Sequence, residues 1–410
     1  MVDRILICHT CGNEYAFAPR FTACDTCAGP LDVEIDIRAA LKQTEPRAIE
    51  APGGGIAKFA PFFAVGEPEN FVTLGEGSTP LLRHARLNAL LGLPNLLIKN
   101  DAGNPTWAFK DRLNAVNASL AREFGYRDLV ALSTGNHGAS AAAYASAAGM
   151  RSVILLPHGT PEIYGQMTQA YGGTAVLTDW HGRAGLLAHL VQKGWFPSKS
   201  ALPTPISNPF GLQGYKSIAF EIAIEMRPRL PDYVLVPIGS GDGIYGIFKG
   251  FREFRELAII DRIPPLVACE PAGANPLARA LESKSDYVSM VAAPSTMAAS
   301  ISEGICTDHS LRAVRSSAGF GASPTDAEIM EAMRLLASVG LAAESSSCVP
   351  LAAARRLVAE GRIAGDAVMV LILTSSGIKW PQQLSALAPP AAAIRPEPDA
   401  LDELLRQVMT

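Results

Sequence analysis

No stretch of this 410-residue chain stays apolar for the roughly 18 residues that a membrane-spanning helix needs, so none is expected. Charge is sparse, at 18% of residues, and its balance is −4. No basic block stands out, which argues against nucleic acid as a partner. The stretch from Met1 to Thr10 lacks the charged, apolar and small-residue regions of a signal peptide, and a cytoplasmic protein is the expectation. Cysteine is scarce too. Seven in a cytosolic chain of this size read as metal ligands or free thiols rather than disulfides. What remains is ordinary globular composition, 48% hydrophobic, enough for two or three domains with sizeable cores.

Four of the cysteines are clustered as Cys8-x-x-Cys11 and, after twelve residues, Cys24-x-x-Cys27. Each pair lets two thiolates reach one ion, and two pairs complete a tetrahedral sulfur shell, so structural Zn2+ is expected. Four protein ligands leave no open position, so the cluster is not read as catalytic. A ribbon without metal or a set of redox-active thiols is the alternative. Cys269, Cys306 and Cys348 are scattered and read as small buried apolar residues.

Residues 1–37 form the Cys-rich, zinc-ribbon-like module. Residues 38–70, with Pro52-Gly53-Gly54-Gly55 and Pro61, read as an irregular linker. From 71 to about 385 short apolar runs alternate with amphipathic patterns. Strands are expected at 96–99, 129–132, 152–156, 175–177, 233–238, 266–270 and 367–373, and helices at 109–124, 138–149, 161–171, 182–193, 212–226, 244–258, 325–339 and 348–360. That alternation predicts an α/β fold with mostly parallel sheets. The tail, 386–410, is Pro- and Ala-rich with a short helix candidate at 400–409, and reads as a packing arm or linker.

Four loops carry chemistry. Lys110 follows the 96–99 strand and opens a helix with Phe109, Leu113, Val116 and Leu120 on one face. A primary amine there becomes a nucleophile toward carbonyls once desolvation lowers its pKa. Ser133-Thr134-Gly135-Asn136-His137-Gly138 joins a strand to a helix, where small and hydroxylated residues expose N–H donors to a carboxylate. Asn136 adds an amide for a ring oxygen, although plain N-capping by Ser133 or Thr134 is an even alternative. Gly239-Ser240-Gly241-Asp242-Gly243 also lies between strand and helix and would wrap a phosphate. Its spacing departs from the dinucleotide fingerprint and it lacks the lysine of a nucleotide P-loop. Asp242 is awkward beside phosphate, and its carboxylate is expected to point away. Thr374, at the end of the last strong strand, offers a neutral hydroxyl to a ring nitrogen. Amine, ring-oxygen donor, phosphate cradle and ring-nitrogen partner together describe a pyridoxal 5'-phosphate site.

On these motifs the chain resembles the threonine synthase-like enzymes of the pyridoxal-phosphate-dependent fold type II (tryptophan synthase β-like) family, from about Phe71 to Pro381. Leu74 to Leu81 looks like the family's opening motif, Asn104 to Arg112 its lysine motif and Ser133 to Gly138 its asparagine loop. The segments 208–216 and Glu344-Ser345-Ser346 look like further ones. The resemblance implies two three-layer α/β/α domains, a smaller one at about 115–205 and a larger one from the remainder of 71–385. It implies Lys110 as the catalytic Schiff-base residue and Phe109, Asn136, residues 239–243 and Thr374 around the cofactor. Residues 133–137 would bind the substrate, a small amino acid. A homodimer is compatible with it. Gly211 stands where an arginine that helps bind substrate phosphate is usual, Trp107 and Ala108 replace a Gly-Ser pair beside the lysine, which would reshape the pocket, and His137 replaces threonine. The implied activity is elimination or replacement at Cβ or Cγ of an amino acid, with O-phosphohomoserine giving threonine as one case. A cysteate-synthase-like β-replacement on an activated serine is an alternative, as is an ammonia-lyase acting on serine, threonine or diaminopropionate. His137 leans toward the deaminases; the Cys-rich module and 208–216 lean toward the synthases. A non-catalytic scaffold built on the zinc module is the reading from a different class.

Overall fold

The computed structural model describes residues 2–199, 208–388 and 390–408, so the end of the 115–205 segment, Pro389 and Met409 lie outside the described residues. Among the described residues three sheets organise the fold. The strands Glu14–Ala16, Arg4–Cys8 and Leu31–Ile35 form a small antiparallel sheet in that order. A six-stranded sheet runs Phe320–Ala322, Leu266–Cys269, Tyr233–Pro237, Met369–Leu373, Leu96–Asn100, Leu81–Leu82 and is parallel except at its last, two-residue strand. A four-stranded parallel sheet runs Thr174–Thr178, Arg151–Pro157, Asp128–Leu132, Phe196–Pro197.

Both parallel sheets are covered on two faces, which is why their strands read as continuous apolar runs. Along the four-stranded sheet, Leu129, Ala131, Ile154 and Leu156 point into the main core. Val130 and Leu155 point the other way, onto Leu187 of the helix Arg183–Gln192. Along the six-stranded sheet, Val234, Val236, Val370 and Ile372 join the main core, while Leu235, Met369, Leu371 and Leu373 face the helices Asp326–Ser338 and Ser345–Ala359. Among the described residues no helix is long and apolar enough to cross a membrane.

The 38–70 segment, expected to be irregular, carries the helices Ile37–Gln43 and Pro46–Glu50 and a 3-10 run, Ile56–Phe63. Phe59, Phe62 and Phe63 of that run are fully buried, with Phe59 and Phe62 packed on Phe220. Their spacing follows the tighter 3-10 period, and glycines and prolines mask it in sequence.

The Cys-rich module docks on the helix Asp242–Glu256. Buried Asp32 accepts hydrogen bonds from Tyr245 (2.5 Å) and Lys249 (2.9 Å) of that helix and from Gln213 (2.8 Å). The His9 ring meets Tyr245 edge-on at 5.1 Å. The module is thereby tied to the helix that begins at the 239–243 loop.

Candidate active site

Parallel strands of both sheets end on one cavity, with about 850 Å³ of free space including its mouth. Leu132 leads into Ser133, Pro237 into the glycine loop and Leu373 into Thr374, so three loops converge at the carboxyl ends of strands, where α/β folds bind ligands. Phe109, Lys110, Ser133, Thr134, Asn136, His137, residues 239–243 and Thr374 all line it. Gly135 does not; a Cβ there would meet the Tyr164 ring at 2.8 Å. Trp107 and Ala108 do not line it either. The Trp107 side chain is 43% exposed, and Ala108 is buried in a bridge to Ser375, so the expectation that this pair reshapes the cavity is corrected.

Lys110 begins the helix Lys110–Glu123, which is buried along most of its length. Buried polar groups need partners, and this helix has them. Arg112 pairs with Asp101 (2.7 Å) and Glu221 (2.6 Å), and Lys99 joins Glu221 at 2.9 Å. The opening motif is bound into the same network: Thr79 donates to Asp101 at 2.6 Å, and Gly77 N–H donates to Asn104 at 2.9 Å. Gly214 allows the 211–215 turn to touch this helix, since a Cβ there would fall 1.9 Å from the Arg112 carbonyl oxygen. That contact brings Tyr215 to Lys110: the Lys110 Nζ donates to the Tyr215 hydroxyl at 3.0 Å, and Phe109 stacks on the Tyr215 ring at 4.8 Å. Burial lowers the Lys110 pKa to about 8, opposed chiefly by the charge of Asp242.

The Ser133 hydroxyl accepts the N–H groups of Gly135 (2.9 Å) and Gly138 (2.8 Å) and so shapes the loop, while the N-cap position itself is Gly135 rather than Ser133 or Thr134. Asn136 Nδ2 donates to both oxygens of Glu344, at 3.1 and 3.0 Å. His137 Nε2 lies 3.1 Å from Ser198 Oγ. Burial, aided by the charges of Lys110 and Lys199, holds the imidazole well below its ordinary pKa, so it is neutral near pH 7. Asn117 donates to the Ser198 hydroxyl at 2.9 Å, and a Cβ on Gly211 would fall 2.5 Å from the Asn117 side chain. The two unusual positions, Gly211 and His137, are thus physically joined through Asn117 and Ser198.

In the glycine loop the Ser240 hydroxyl donates to Asp242 at 2.9 Å. Gly241 has φ +96°, and a Cβ there would fall 2.2 Å from Ser310 Oγ, so only glycine suits the turn that starts the helix Asp242–Glu256. Thr374 Oγ1 lies 2.9 Å from Ser347 Oγ, and the Thr374 carbonyl accepts the Phe109 N–H at 2.8 Å. These residues fit pyridoxal phosphate: a desolvated amine, glycines and a helix N-terminus for a phosphate, an amide, and a neutral hydroxyl around one cavity. Sequence reading missed Lys199 and Glu303, an ion pair at 3.0 Å on the cavity wall, and the roles of Glu344 and Tyr215.

The four clustered cysteines lie apart from this cavity. Their sulfur atoms are all within 4.8 Å of one another, with Cys8 and Cys27 3.4 Å apart and Cys11 and Cys24 3.7 Å apart.

Residues 72–375 match the family described as pyridoxal-phosphate dependent enzyme. The chain is 31% identical over 408 residues to a threonine synthase of Methanocaldococcus jannaschii, covering 98% of this chain and 99% of that one. It is 33% identical over 404 residues to a threonine synthase of Methanosarcina acetivorans, with 98% of each chain covered. A diaminopropionate ammonia lyase from Escherichia coli shares the fold at a TM-score of 0.66 and 20% identity, covering 84% of this chain and 93% of that one. Matches of this length leave no room for a non-catalytic scaffold: the chain belongs to the pyridoxal-phosphate dependent enzymes, as a threonine synthase-like amino-acid lyase or synthase.

Proposed function

We propose that this enzyme converts O-phosphohomoserine to threonine, with Lys110 as the residue that holds the cofactor. The observation that carries this reading is the Lys110 amine, desolvated inside a cavity that also gathers the asparagine loop, the glycine loop and Thr374. The near full-length similarity to proteins named threonine synthase supports the choice of product. When bound, the cofactor supplies a conjugated ring that accepts electron density from the substrate α-carbon. The chain supplies the rest. Backbone N–H groups of residues 239–243, at the start of a 15-residue helix, would hold the phosphate. Asn136, oriented by Glu344, would face the ring oxygen, and the neutral Thr374 hydroxyl the ring nitrogen. Because Thr374 brings no charge, it favours elimination and replacement over transamination. Ser133, Thr134, Asn136 and His137 would bind the substrate carboxylate, with N–H groups at the start of the helix Asn136–Ala147 as donors. Once displaced by substrate, the Lys110 amine is the base for the α-proton, and its lowered pKa keeps a useful fraction neutral near pH 7 to 8.

The Cys8, Cys11, Cys24 and Cys27 quartet is proposed to hold structural Zn2+. Zinc–sulfur bonds of about 2.3 Å in a tetrahedron put sulfurs about 3.8 Å apart, close to the separations in the cluster. Backbone N–H groups of Thr10 and Thr26 and the Tyr15 hydroxyl already point at these sulfurs.

Lys110→Ala tests the main reading. It should abolish the visible absorption of the purified protein and lower turnover by at least about a thousandfold; unchanged absorption and turnover would refute it. Phosphate release from O-phosphohomoserine, set against ammonia release from serine or threonine, tests the reaction itself.

A further inference from the structure

A second chamber, with about 1230 Å³ of free space including its opening, adjoins the cofactor cavity. The two share Leu132, Ser133, Thr134, Lys199 and Glu303 as a common wall. One molecule can therefore present a carboxylate to the 133–137 loop and reach the outer chamber with its far end. Among the described residues the outer chamber is lined by two basic side chains of the Lys and Arg kind, Lys199 and Arg183, against one carboxylate, Glu303. Lys199 is paired with Glu303 at 3.0 Å, and their side chains are 15% and 22% exposed. Arg183 is only 8% exposed. Its guanidinium stacks 4.0 Å from the Trp180 ring centre, and its Nε donates to the Trp180 carbonyl at 3.2 Å. A guanidinium so placed is oriented and partly stripped of water, which is costly unless it meets an anion.

We propose that Lys199 and Arg183 form the subsite for the distal phosphate of the amino-acid substrate, with Glu303 as the resident counter-ion that the phosphate displaces. A dianionic phosphate monoester matches this set better than a neutral or singly charged side chain. It is large enough to take a planar fork and a point charge at once, and charge-assisted bonds to both are the strong kind. Displacing Glu303 is feasible because it lies on a partly exposed loop beside the 3-10 turn Ala299–Ile301. The proposal deepens the O-phosphohomoserine reading and rests on it.

The test is a binding titration of the holoenzyme, followed by the change in cofactor absorption and by calorimetry. The probes are the unreactive phosphonate 2-amino-5-phosphonopentanoate and its truncated form, 2-aminopentanoate. The wild-type protein should prefer the phosphonate by about tenfold or more. Lys199→Met and Arg183→Met should each remove most of that preference without changing the affinity for 2-aminopentanoate. Glu303→Gln, which touches only the counter-ion, should strengthen phosphonate binding. A preference that survives both cation variants, or an equal loss for both probes, overturns the subsite, as does weaker phosphonate binding in Glu303→Gln. If 2-aminopentanoate perturbs the absorption but the wild type shows no phosphonate preference, the subsite alone fails. If neither probe perturbs it, the reading on which the subsite rests fails with it.

Discussion

At the scale of single residues, the chemistry turns on how Lys110 is desolvated. Attack of its amine on an aldehyde needs the neutral form, so reconstitution of the apoenzyme with pyridoxal phosphate should accelerate as pH rises, with a midpoint near 8. Asp242 is the main charge that keeps this pKa up, so Asp242→Asn should move the midpoint to lower pH; stopped-flow absorption across pH checks both. The sign for stability follows from the same shift. The folded pKa lies below the unfolded value of about 10.4, so burying the charged amine penalises the apoprotein fully below about 8, and the penalty is relieved as pH climbs toward the unfolded value. That Lys110, Asn136 and Thr374 would share one cavity was legible in the sequence, because Asn136 and Thr374 closely follow apolar strands and Lys110 opens an amphipathic helix, which are local patterns. Lys199 and Glu303 were not. Nothing in the residues around either one signals a site, and only the fold brings a loop after the strand Phe196–Pro197 against one after residue 299. Trp107 shows the opposite error: adjacency in sequence to Lys110 suggested a place in the cavity, yet the backbone there has φ +57° and turns the indole outward.

Single elements carry the burden of holding that geometry. The helix Lys110–Glu123 is anchored from below by Arg112, which is fully buried between Asp101 and Glu221. Removing one partner of such a group strands the others, so Arg112→Met should cost about 3–5 kcal/mol in urea unfolding, well beyond a surface change. The turn into the helix Asp242–Glu256 is equally constrained. Gly241→Ala must shift Ser310 or distort a left-handed turn, and should weaken cofactor binding by tenfold or more in equilibrium dialysis, with a smaller effect on overall stability. Helices of this kind were readable from their period, and the expected 109–124 and 244–258 differ from the observed bounds by one or two residues. Short edge strands such as Phe320–Ala322 and Leu81–Leu82 were not, because two or three residues cannot establish an alternation.

For the whole molecule, the three sheets are not independent. The cysteine module grips the helix of the glycine loop through Asp32, and Asp32 faces Ile7, the neighbour of Cys8, across the small sheet. Stripping the proposed Zn2+ with a chelator, or replacing Cys24 by serine, should therefore lower the thermal midpoint and also speed loss of bound cofactor; unchanged cofactor retention after either treatment would break the link. The alternation of strands and helices made the α/β class legible, but the order of strands within each sheet was not, since it depends on long-range pairing that no local pattern records. That pairing has a further consequence for how the molecule is made. The four-stranded sheet draws on one continuous stretch of chain, whereas the strand Leu96–Asn100 must wait for its partner Met369–Leu373. On the ribosome the four-stranded sheet can assemble early, while the amine of Lys110 stays in an unfinished wall until the strand Met369–Leu373 emerges. Capture of the cofactor therefore waits on the pairing of Leu96–Asn100 with Met369–Leu373, and a bound cofactor reports that the six-stranded sheet has closed.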